Sequence, residues 1–159
     1  MFNAIGVFEI AEQIEHNGAR FYRKAAEIFD NNQISEIFIR LSEWEAKHER
    51  IFSNMKTQLS EINRESNVTG LEEKTPDPKV MAGLAVFGIK PEPADELRGN
   101  EKQADILKRA IEKEKDSIVF YNGLKDFVAD SASRDRIDDI IKEEMHHISI
   151  LYRWQKRKG

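Results

Sequence analysis

Apolar residues recur in alternating steps of three and four through four segments of the chain, the seam of helices packed in a bundle. The first segment runs from about Asn3 to Asp30, with the stripe Phe8, Ala11, Glu15, Gly18, Tyr22, Ala25, Phe29. Asp30-Asn31-Asn32 then marks a turn. The second runs from about Gln33 to Asn67, with the stripe Ile34, Phe38, Leu41, Glu45, His48, Phe52, Met55, Leu59, Ile62. The third runs from about Lys102 to Asp130 and presents Leu107, Ile111, Glu114, Ser117, Tyr121, Leu124, Val128. Ser131-Ala132-Ser133 ends it, and a fourth segment from about Ser133 to Lys156 presents Ile137, Ile140, Glu144, His147, Leu151, Trp154. The pattern predicts an all-α fold, an antiparallel four-helix bundle made of two helical hairpins (3–67 and 102–157).

Between the hairpins, over residues 68–101, the period is lost. All four prolines fall here, in TPDPK and KPEP. The apolar run VMAGLAVFGI lies between them. A short helix packed over the bundle fits this run better than a strand, because Asp77-Pro78 supplies an N-cap and first-turn pair. The segment reads as a long crossover with structure of its own, and the whole chain, 1–159, as one domain.

Each helical stripe is interrupted once by a carboxylate: Glu15, Glu45, Glu114 and Glu144. Two are followed one turn later by a histidine on the same stripe, His48 and His147. Residues three apart on a helix face the same way, so each Glu-x-x-His pair can grip one ion. The fourth segment contains a competing frame, Glu143 with His146. Its neighbours Asp139 and Arg153 make that frame a charged outer face, so Glu144 and His147 are expected to point inward. Buried carboxylates are costly unless protonated, paired or metal-bound, and no Lys or Arg lies on these stripes.

A lone Glu-x-x-His on a helix carries little information, but the depths agree. At about 1.5 Å rise per residue, all six side chains lie roughly 20 Å from their hairpin turns. Glu15 and Glu45 are thirty residues apart, as are Glu114 and Glu144. IEHNGARFY parallels KEKDSIVFY, and WEAKHERIF parallels EEMHHISIL, so the hairpin reads as duplicated. Four carboxylates balance two divalent cations, and oxygen and imidazole donors suit iron or manganese, with zinc also compatible. The ligand set is the one expected of a di-metal carboxylate site in a bundle core. His16 and His146 read as solvated, and Glu9, Glu43, Glu49, Glu112 and Glu143 as ordinary helix charges.

Tyr22 and Tyr121 sit seven residues beyond Glu15 and Glu114 on the same stripes. Their hydroxyls are placed to hydrogen-bond the carboxylates or to donate electrons; plain core aromatics are the alternative. Gly18 and Ser117 occupy matching positions near the same carboxylates. They leave room for a small oxidant, or else serve close helix packing.

Composition narrows the functional classes. With 34% charged residues and a net charge of −4, the chain has the solvated faces of a helical protein and no excess charge for nucleic acid or an anionic membrane. It contains no cysteine, which excludes thiolate metal sites and cysteine nucleophiles. A reducing cytoplasm is the simplest location. The N-terminal stretch lacks a signal-peptide pattern, and no run reaches the length of a membrane span.

IEHNGARFY, WEAKHE, EKDSIVFY and EEMHH together resemble the rubrerythrin branch of the ferritin-like superfamily, across both hairpins. The resemblance implies two iron ions per chain, without haem. Glu45 and Glu144 would bridge them, Glu15 and Glu114 would be terminal ligands, and His48 and His147 the imidazoles. It further implies reduction of hydrogen peroxide or dioxygen, and a homodimer. The chain departs from the family in two respects. The cysteine-bound rubredoxin domain is missing, so the electron donor would be a separate, rubredoxin-like protein. An extra glutamate expected one turn after the third-helix ligand is replaced by Ser117, which puts efficient peroxidase activity in question. Two other functions compete. One is ferroxidase or iron handling; there Ala46 stands where bacterioferritin has its haem-binding methionine. The other is a metal-stabilised, non-enzymatic binding module using VMAGLAVFGI as its contact surface.

Overall fold

The computed structural model describes residues 4–30, 32–65 and 97–157. The predicted segment over VMAGLAVFGI, with its Asp77-Pro78 start, lies outside the described residues. Four long helices follow one another: α1 (Ala4–Ile28), α2 (Gln33–Glu65), α3 (Gln103–Leu124) and α4 (Ser131–Lys156).

α1 packs along α2, and α3 along α4, with the two hairpins meeting through α1 against α3 and α2 against α4. Directions follow from paired side chains. Phe8 meets Phe52 and Tyr22 meets Phe38, so α1 and α2 are antiparallel. Tyr22 bonds Glu114 while Tyr121 bonds Glu15, which makes α1 and α3 antiparallel too. The first hairpin is tied at its turn by the Ser35 hydroxyl, which donates to the Ala26 carbonyl at 2.9 Å.

The apolar stripes close into two clusters. One gathers Phe8, Phe52, Tyr121, Ile137 and Ile140 with their neighbours, and the other Phe21, Tyr22, Phe38, Leu107 and Leu151. Both kinds of position follow the three–four step of the sequence. The six Glu and His positions fall on the same stripes between the clusters, so an apolar core brackets them along the bundle axis.

The expected boundaries need two corrections. The third helix was expected to reach Asp130 but ends at Leu124, followed by a 3₁₀ turn at Lys125–Phe127. Val128 then turns extended (φ −112°, ψ 121°). The reason lies in Asp130, whose carboxylate accepts the Ser133 N–H at 2.8 Å and caps α4. An N-cap requires non-helical backbone, so α3 must stop short and α4 starts at Ser131 rather than Ser133. At the far end of α2, Ile62 was placed on the inward stripe but is 58% exposed. Phe8 faces Phe52, so Ile62, ten residues on, lies past the start of α1 and has no α1 surface opposite it.

Candidate metal centre

All six stripe anomalies are buried. Glu15, His48 and Glu144 are 0% exposed, His147 2%, Glu114 3% and Glu45 5%. Each is held where its helix places it, one from α1, two from α2, one from α3 and two from α4. Their ligating atoms form two groups, each within 4.8 Å: Glu15, Glu45, His48 and Glu144, then Glu45, Glu114, Glu144 and His147. Glu45 and Glu144 belong to both groups. The arrangement is that of two adjacent cation positions sharing two carboxylates, with one carboxylate and one imidazole private to each.

The inner contacts are close. Nδ1 of His48 lies 2.9 Å from Glu144 Oε1 and 3.6 Å from Glu15 Oε1. Nδ1 of His147 lies 3.2 Å from Glu45 Oε1, 3.3 Å from Glu144 Oε2 and 3.5 Å from Glu114 Oε1. Both imidazoles thus turn the same nitrogen inward. The tyrosine hydroxyls donate to the private carboxylates, Tyr22 to Glu114 at 2.6 Å and Tyr121 to Glu15 at 2.5 Å.

Even so, the layer leaves polar atoms without a well-formed hydrogen bond. One oxygen each of Glu15, Glu45, Glu114 and Glu144, and Nδ1 of His147, are buried outside hydrogen-bond geometry, although Nδ1 of His147 faces the Glu45 and Glu144 oxygens at 3.2 Å and 3.3 Å. Buried polar atoms are nearly always satisfied. Carboxylate oxygens and an imidazole nitrogen converging in one layer outside hydrogen-bond geometry fit a pair of divalent ions.

Charge adds to the argument. Burial, with the Glu144 charge, pushes Glu15 up to about 7. Burial and then the Glu114 charge push Glu45 and Glu144 well above the usual carboxylate range. Burial would raise Glu114 as well, but hydrogen bonding with Glu144, His147 and Tyr22 outweighs it and holds Glu114 at about 2. Burial disfavours charge on both histidines. Surrounding carboxylates win, raising His48 to about 10, chiefly through Glu15, and His147 to about 9, chiefly through Glu114 and Glu45. When no cation is bound, protons offset the buried negative charge. Divalent cations would take their place.

Sequence reasoning missed two neighbours of this layer. Glu143 was read as an ordinary charge on the outer face. Its side chain is 51% exposed, yet its carboxylate reaches back to accept from Nε2 of His48. Trp44 falls off the inward stripe of α2, yet its indole stacks on His147 at 5.1 Å and 11°. A signal was present, because Trp44 and Glu143 each immediately precede a shared carboxylate. His16 and Glu49 form a partly exposed pair at 3.2 Å, away from the buried six.

The small residues lie differently from the oxidant-pocket expectation. A Cβ on Gly18 would stand 3.3 Å from Glu45 Oε2, so the space beside Gly18 is filled by Glu45 itself. The Ser117 hydroxyl turns away and donates to the Lys113 carbonyl at 3.0 Å. Among the described helices, none is long and apolar enough to cross a membrane.

Comparison with known proteins agrees with this geometry. The rubrerythrin family model matches residues 7–155. No curated protein matches the chain significantly. Among solved structures, a candidate ferritin-like diiron-carboxylate protein from Thermotoga maritima is similar. It is 27% identical, with a TM-score of 0.72, over 99% of this chain and 97% of that one.

Proposed function

Because the chain belongs to the rubrerythrin family, we propose that the buried cluster is a di-iron centre that reduces hydrogen peroxide to water. The observation that carries this reading is the convergence of four buried carboxylates and two buried imidazoles into two groups of ligating atoms, each within 4.8 Å. Glu45 and Glu144, which belong to both groups of ligating atoms, would be shared by the two ions, with Glu15 and His48 holding one and Glu114 and His147 the other. Oxygen and imidazole donors suit iron, and they also accept manganese or zinc.

A bound iron(II) pair would supply two electrons, one from each ion, which together with two protons convert hydrogen peroxide into two waters. The chain's own residues set the conditions. The apolar clusters on either side exclude bulk water, which strengthens every electrostatic contact inside. Tyr22 and Tyr121 hold protons on Oη beside the terminal carboxylates, which fixes their orientation and keeps a proton within reach of the layer. Burial and the adjacent carboxylates raise both phenols well above their usual range, so they act as donors. Re-reduction calls for a separate one-electron donor such as a rubredoxin-like protein, and a homodimer is the assembly we propose.

One observation favours a second reading. With Ser117 turned onto its own helix, α3 contributes a single carboxylate where peroxidases of this family have two. Such a site fits an iron oxidase driven by dioxygen. Anaerobic loading with iron(II), followed by mixing with hydrogen peroxide or dioxygen, separates the two. We expect paired iron and a much faster reaction with peroxide. Faster oxidation by dioxygen, with turnover of added iron, would transfer the assignment to ferroxidase.

A further inference from the structure

The duplication of the hairpin makes Trp44 and Glu143 equivalent positions, each one residue before a shared carboxylate. Each side chain crosses to the histidine of the other hairpin, and there the equivalence ends. Glu143 accepts a hydrogen bond from Nε2 of His48. That ring is fully buried, with Nδ1 turned toward Glu15 and Glu144. A carboxylate on the outer nitrogen fixes the tautomer and ring orientation of a metal-binding histidine and makes its inner nitrogen a stronger donor. Trp44 offers His147 only the face of an indole, stacked at 5.1 Å. Among the described residues, no carboxylate pairs with Nε2 of His147.

Surrounding charge reinforces the difference. Glu143 adds a negative charge beside the His48 half. Trp44 instead forms part of a surface cleft of about 350 Å³ whose lining includes Arg40, Arg153 and Arg157. A carboxylate in contact with a ligand, as Glu143 is with His48, favours a cation, and the cationic cleft beside Trp44 supplies no such carboxylate.

Resting on the di-metal reading above, we infer that the two positions are unequal: the Glu15/His48 half fills first and more tightly, with Glu143 as its positioning residue. The Glu114/His147 half, backed by Trp44, is the weaker and more exchangeable one. Loss of an outer partner of this kind typically weakens metal binding about 10–100-fold, so a difference of that order is expected between the halves.

The test is an anaerobic calorimetric titration of the full chain with manganese(II), repeated with cobalt(II). The native protein should show two steps separated by about tenfold or more. Glu143→Ala should weaken the first step by about 10–100-fold and leave the second in place. Glu143→Asp should restore part of the loss, which a general packing defect would not permit. Trp44→Glu installs the missing carboxylate and should tighten the second step. His147→Ala should retain the tight step, and His48→Ala only the weak one. Glu143 is half exposed, so its variants are expected to fold, and circular dichroism checks this. Two equal steps in the native protein, or a Glu143→Ala variant with both steps unchanged, would overturn the inequality alone. Absence of binding by either metal would overturn the di-metal reading and this inference with it.

Discussion

At Gly18 the α1 backbone comes close enough to the Glu45 carboxylate that a methyl group would stand 3.3 Å from its oxygen. Two effects of Gly18→Ala then have opposite signs. Alanine is better than glycine inside a helix by about 1 kcal/mol. Without metal, the Glu45 side chain can yield a few tenths of an ångström, and the variant should gain up to about 1 kcal/mol in denaturant unfolding. With metal, Glu45 is tethered at its far end and cannot yield, so the stabilisation on metal addition should shrink. Denaturation with and without manganese(II) reads both. Equal gains in the two conditions would show that Glu45 is not held by the ion. The sequence made Gly18 visible as a small residue beside a carboxylate. It could not show whether that smallness leaves a space or admits a neighbour, because this depends on the distance between α1 and α2. The same limit hid Glu143. Its position on a charged frame is correct by periodicity, and half of its side chain is in solvent. A long side chain can still reach inward from the edge of a stripe, and helical phase alone does not record that reach.

Helix boundaries depend on local competition between neighbouring elements, and the second hairpin illustrates it. Ser131-Ala132-Ser133 reads in the sequence as the break between the third and fourth segments. The stronger cap is Asp130, which accepts the Ser133 N–H and whose carboxyl is held below its usual range by the Ser133 side chain and then by that backbone bond. Claiming Asp130 for α4 forces extended backbone before it, and α3 ends at Leu124 while Val128 still packs into the core. The link is braced by Lys125 on Asp138 at 2.8 Å. Asp130→Ala should therefore cost about 1 kcal/mol, within the range of lost N-caps, and Asp130→Ser much less. Thermal unfolding of the two variants measures the difference; equal losses would mean the cap is not what sets the boundary. The long stripes themselves were legible apart from Ile62 at the end of α2, since periodic burial over six or seven turns leaves little choice of phase. The carboxylates at their centres were legible for the same reason, as departures from an otherwise apolar pattern at matching depth.

The scale of the whole bundle decides how much stability such a layer costs and when metal repays it. In the metal-free protein, Glu15 titrates near 7 rather than 4.5, and Glu45 and Glu144 are raised as well. His48 and His147 titrate near 10 and 9. Across these groups the folded chain binds more protons than the unfolded chain from about pH 4.5 to about pH 10. Stability falls with pH wherever the folded state holds the extra protons. The histidine contribution is complete below the unfolded value of 6.5 and is lost as pH rises through 9 and 10. Glu114, held at about 2, acts in the opposite sense: its contribution is present above 4.5 and is lost as pH falls toward 2. The cluster's contribution to the metal-free protein should therefore peak near pH 4.5 and decline above it. Metal binding needs these same groups deprotonated, so affinity rises over the same range. The upward shift in unfolding temperature on adding manganese(II) should accordingly grow steadily from pH 5 to pH 8. A shift that stays constant over that range would mean the buried six do not carry the protons that the ion displaces. The trend needs every member of the layer, from all four helices, because each pKa reflects burial together with side chains on other helices. It is a property of the closed bundle, to which a single helix contributes only the side chains and their phase.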